Sequence, residues 1–92
     1  MKKYLVERYL PGITQRQLDE ASERLASAAS GLAAEGVEVR YVGSTFVPRE
    51  ESCFCRFEGD SADAVRRACE QADVMFARIV EARDLSPGRE EQ

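Results

Sequence analysis

Seven residues of this 92-residue chain combine carboxylates, hydroxyls, a guanidinium and aromatic surface in a way that suits a ligand site: Glu7, Tyr9, Ser44, Phe46, Phe54, Arg56 and Glu81. Strand alternation puts Glu7 and Tyr9 on one face of an N-terminal strand, and Phe54 and Arg56 on one face of a later strand. Arg56 can either form a bidentate pair with Glu7 or present its donors to an anionic ligand. A salt-bridge network of Glu7, Arg56 and Glu81 that sets sheet register and subunit pairing, with no ligand, explains the same residues. In a closed apolar cavity Glu7 or Glu81 would have the raised pKa of a general base, as a cofactor-independent oxygenase or isomerase requires. Nucleophilic catalysis has less support, because the chain has no histidine to activate Ser44 or a cysteine.

The three cysteines are an odd number, which argues against a disulfide framework and fits a reducing compartment. Cys53 and Cys55 share one strand face, and Cys69 lies on a helix. Small buried apolar residues are the expected role of all three, since free cysteine is among the most buried residue types. A lone C-x-C pair without histidine is a poor zinc signal, so no metal-ligand set is assigned.

Charge and length narrow the class further. Seventeen acidic against 13 basic residues give a net charge of -4, which leaves no basic footprint for nucleic acid. Lys2 and Lys3 are followed by Glu7 before the apolar core of a signal sequence could form, and no apolar run approaches a membrane span. The expectation is a cytoplasmic protein without nucleic-acid or membrane partners. At 92 residues the chain makes one two-layer core but no deep pocket of its own.

The elements that must position these side chains follow in order. Residues 3–10 alternate as a strand, ended by Pro11 and Gly12. Thr14 and Gln17 have capping-box spacing, and Leu18, Ala21, Leu25, Ala28, Ala29 and Leu32 make one apolar helical stripe that Gly36 can terminate. Strands over 37–47 and 52–59 flank the turn 48–51. In the first of these Val37, Val39, Tyr41, Gly43, Thr45 and Val47 form the inner face, with Gly43 marking a bulge or a close approach. In the second, Cys53, Cys55 and Phe57 face inward. Asp60 and Ser61 open a helix with Val65, Ala68, Cys69 and Ala72 buried, and 76–82 is the last strand. Residues 84–92 turn polar and breaker-rich and read as a flexible C-terminal tail on a domain spanning 1–83.

Strand, helix, strand, strand, helix, strand is the split β-α-β order of an α+β, ferredoxin-like sandwich. It has a four-stranded antiparallel sheet, two helices on one face, the first and third strands central and the others at the edges. The uncovered face is predicted to carry Leu5, Glu7, Tyr9, Val42, Ser44, Phe46, Phe54, Arg56, Glu58, Ile79 and Glu81. That mixture is too apolar to face water and too polar for a plain core. Two chains packed sheet to sheet, as a homodimeric α/β barrel with a partly polar cavity, resolve the conflict.

Tyr4-Leu5-Val6-Glu7-Arg8, Val42-Gly43-Ser44, Cys55-Arg56-Phe57-Glu58 with Ser61 and Val65, and Arg78-Ile79-Val80-Glu81 together resemble a widespread group of small bacterial proteins of unknown function. The best-described member of that group is a nickel-binding, dimeric ferredoxin-like protein. The resemblance implies the fold, a homodimer and nickel as a cofactor. Imidazole is the favoured ligand for such a metal, and a chain without histidine offers only Glu7, Glu58, Glu81 and its thiols. The resulting expectation is a small homodimeric binding protein with an inter-sheet cavity for a small ligand or metal.

Overall fold

The computed structural model describes residues 1–88. Its elements are β1 (Lys2–Tyr9), α1 (Gln15–Ala34), β2 (Val39–Val47), β3 (Ser52–Gly59), α2 (Ala62–Gln71) and β4 (Arg78–Ala82). The sheet order is β2-β3-β1-β4, and each neighbouring pair is antiparallel. This is the expected ferredoxin-like α+β arrangement. Of the predicted tail, residues 84–88 contain no helix or strand, and residues 89–92 lie outside the described residues.

Local chemistry sets the helix ends. Thr14 accepts from the Gln17 amide while the Gln17 side chain accepts from the Thr14 amide, a complete capping box. At the other end Gly36 has a φ of 93°, and the Val37 and Gly36 amides donate to the carbonyls of Leu32 and Ala33. This is a Schellman closure built on the residue type that enters the left-handed region without strain. α2 starts on Ser61, whose hydroxyl accepts from the Ala64 amide, and closes in the same way around Asp73 at a φ of 56°.

Both helices lie on one face of the sheet. Val6, Leu25, Leu32, Phe57, Val65, Ala68 and Cys69 are almost completely removed from water, and Phe57 stacks at a tilt on Tyr41 with ring centroids 5.3 Å apart. The apolar burial on this side is the main stabilising term of the fold. The Cα trace measures 44 × 37 × 18 Å, a slab one sheet and one helix layer deep. No third layer covers the other face of the sheet among the described residues.

Two strands depart from the predicted facing. β2 contains a bulge: Tyr41 pairs with Phe57 and Gly43 with Arg56, so Val42 is an extra residue without a partner. One inserted residue reverses the parity of everything after it. Ser44 and Phe46, predicted on the uncovered face, therefore pair with Cys55 and Cys53 on the helix side, and Thr45 moves to the open side opposite Phe54. In β4 the register sets Tyr4 against Glu81, Val6 against Ile79 and Glu7 against Arg78. Ile79 and Glu81 are thus on the helix side, where Ile79 packs on the core, and Arg78 and Val80 take the open face.

Candidate functional site

The predicted cluster divides between the two faces of the sheet. Glu7, Tyr9, Phe54 and Arg56 are on the open face, whereas Ser44, Phe46 and Glu81 are on the helix side. Glu81 lies on edge strand β4 and is exposed. Tyr9, at the end of β1, is 66% exposed.

The expected pair between Glu7 and Arg56 does not form. Opposite Glu7 the strands place Phe54 and Arg78, and opposite Arg56 they place Leu5 and Gly43. Glu7 accepts from Arg78 Nε at 3.0 Å, and that ion pair holds the Arg78 guanidinium above its ordinary pKa. Arg78 was absent from the predicted site; its signal was its place four residues before Ala82 in the last strand, which only the register converts into a contact with Glu7.

Arg56 is left without a carboxylate partner among the described residues. Its Nη1 donates to Thr45 Oγ1 at 2.8 Å, and its Nη2 lies where a β-carbon on Gly43 would come within 2.8 Å. Gly43 has a φ of 153°, so both its backbone and the space above it suit glycine. The bulge thus leaves room for the Nη2 end of the guanidinium over Gly43. Arg56 also borders a shallow depression of about 160 Å³ on the open face with Leu5, Val42 and Glu58. Glu58 is held by Arg40 at 2.9 Å.

The helix side holds a second group. Arg8 is 9% exposed and donates through Nε to the Met75 carbonyl at 2.7 Å. It stands directly across from Cys53, and Ser44 directly across from Cys55. Tyr41 Oη is 2.5 Å from Ser44 Oγ and 2.8 Å from Ser22 Oγ, so three hydroxyls form a chain that ends beside Cys55. A cavity of about 270 Å³ bounded by Arg8, Ser22, Ser44, Phe46, Cys53 and Cys55 runs from this group to the N-terminal half of α1. The two thiols influence each other: Cys53, Ser44 and Arg8 hold the Cys55 thiol down against the effect of burial, while Cys55 and then burial push Cys53 up. Burial pushes Cys69 up to about 12. All three cysteines are free and buried, as expected. Arg8 was missed as a site residue because it alternates with Tyr4 and Val6 on the core face, where a cation is rare.

Comparison with known proteins adds one fold and one family. No curated protein matches the chain. The crystal structure of SCO4226 from Streptomyces coelicolor A3(2) is similar over 91% of this chain and 99% of that one, with a TM-score of 0.73 and 25% sequence identity. The family model described as "Nickel responsive protein SCO4226-like" matches residues 4–82, from the first core tyrosine to the end of β4. The chain therefore belongs to the SCO4226-like family of nickel-responsive proteins.

Proposed function

We propose that the protein is a homodimeric binding protein in which two copies pack open face to open face around a small anionic ligand held by Arg56. The observation that carries this reading is the composition of the face the helices leave uncovered. Leu5, Phe54 and Val80 are only half-buried there, Val42 is 44% exposed, and the exposed Arg56 is held by Thr45 without a counter-charge among the described residues. A second sheet over this surface would bury the apolar side chains. It would also exclude water from the guanidinium, which makes an anion beside it more favourable.

Nickel fits this chain poorly. There is no histidine in the sequence, and among the described residues no three His, Cys, Asp or Glu side chains gather as a metal site. Glu7 and Glu58 are each already paired with an arginine. An enzyme using a cavity carboxylate as base also loses support, since Glu7 is engaged by Arg78 and Glu81 is on the other side of the sheet. Within a family described as nickel-responsive, the open face of this member is better suited to an anion than to a divalent cation.

Thermal-shift and calorimetric titration with inorganic phosphate and with small mono- and dicarboxylates tests the ligand. Stabilisation by at least one of these anions is expected, and it should be lost in Arg56→Gln with the fold intact by circular dichroism. An anion that binds Arg56→Gln as tightly as the wild type would remove Arg56 from the site.

A further inference from the structure

We propose that Cys53 and Cys55 form a two-coordinate bis-thiolate site for a soft monovalent d10 metal ion, copper(I) or its analogue silver(I), with Arg8 balancing the charge of the complex. The site lies on the helix side of the sheet and does not depend on how the open face is covered.

Geometry comes first. Cys53 and Cys55 are two apart on central strand β3 and point to the same side, so neighbouring sulfurs face one space, the cavity of about 270 Å³ beneath α1. They are 2% and 1% exposed, and the one carboxylate that lines the cavity, the exposed Asp19 of α1, does not gather with them into a three-ligand group. Tetrahedral zinc or square-planar nickel would need four donors, and no three candidate ligands converge among the described residues. A two-coordinate soft ion needs only the two thiolates, and the class of ion that thiolates select is the soft one.

Charge then separates a monovalent from a divalent ion. Two thiolates and a univalent ion make a complex of charge −1, and the Arg8 guanidinium across from Cys53 brings the buried group to zero. A divalent ion on the same thiolates would leave the Arg8 cation without compensation in the core, which is the costlier arrangement. The binding step involves no electron transfer. Both thiols release their protons to solvent, two metal–sulfur bonds form, and Arg8 keeps its proton.

Anaerobic titration of the full chain with copper(I) supplied as its bathocuproine complex tests the assignment. One equivalent should pass from the chelator to the protein, and native mass spectrometry should show one copper per chain. Copper X-ray absorption of the wild-type complex should show two sulfur neighbours, a readout that needs no variant. Cys53→Ala and Cys55→Ala should each weaken binding by about 100-fold or more, because a single soft ligand remains. Cys69→Ala should bind like the wild type. Arg8→Gln should weaken binding by about tenfold through the lost charge balance, with Arg8→Lys retaining it. The proposal is overturned if no copper leaves the chelator, if absorption shows nitrogen or oxygen neighbours or a third sulfur, or if Cys55→Ala binds as the wild type does.

Discussion

The two faces of this one sheet contain similar residue types in opposite circumstances. Phe57 and Phe54 are three positions apart on β3, yet Phe57 is 1% exposed beneath the helices and Phe54 is only half-buried on the other side. The charged residues differ as well. On the helix side Arg8 is sunk in the core and tied to a backbone carbonyl, whereas on the open side Arg40, Arg56 and Arg78 remain exposed. The comparison teaches that strand alternation supplied apolar residues to both faces, while the two helices among the described residues cover only one. The helix side is a finished interior with a small polar pocket, and the open side has the composition of an interface.

The matched phenylalanines allow that contrast to be broken most directly. Phe57→Ala should destabilise the fold by about 3–5 kcal/mol in chemical denaturation, the cost of a large cavity in a closed core. Phe54→Ala should cost the isolated chain only about 1 kcal/mol, since the ring is half-buried before any partner arrives. The wild-type unfolding midpoint should rise with protein concentration, and in Phe54→Ala that dependence should vanish, as mass action requires when an interface is lost. Equal losses for the two substitutions, with no concentration dependence in either protein, would erase the distinction between the faces.

A subtler probe is Gly43, where the bulge and Arg56 meet. Gly43→Ala introduces a β-carbon within 2.8 Å of Arg56 Nη2 at a φ of 153°, so a loss of about 1–3 kcal/mol is expected from backbone strain and the displaced guanidinium. Anion binding should weaken in the same variant, which ties the bulge to the site. The smallest effect belongs to Glu7→Gln. Arg78 is 67% exposed and Glu7 27%, so the loss of this one ion pair should cost the isolated chain no more than about 1 kcal/mol in chemical denaturation and leave ligand affinity unaltered. A large loss in either would restore Glu7 to the site as a principal residue.

Much of the fold is legible in the chain because its signals are local. Thr14 with Gln17, Gly36 and Ser61 mark helix ends through contacts within a few residues, and all of them act as read. The sidedness of β1 and β3 also follows from alternation, because neither strand is interrupted. β2 is different. Gly43 signals an irregularity, but only the pairing with β3 reveals that Val42 is inserted and that Ser44 and Phe46 change sides. In β4, Ile79 and Val80 are equally apolar, so alternation offers two sets without saying which is inward; the register with Glu7 decides. The candidate site was therefore half legible: Glu7, Tyr9, Phe54 and Arg56 are together on one face, and the ion pair expected between two of them went to Arg78, a non-local outcome.

The pairing of open faces is the central claim, and sedimentation equilibrium of the untagged chain at micromolar concentration measures it most directly. The account predicts the mass of a dimer for the wild type and of a monomer for Phe54→Asp, with circular dichroism unchanged between them. A wild-type protein that sediments as a monomer across that range would contradict it.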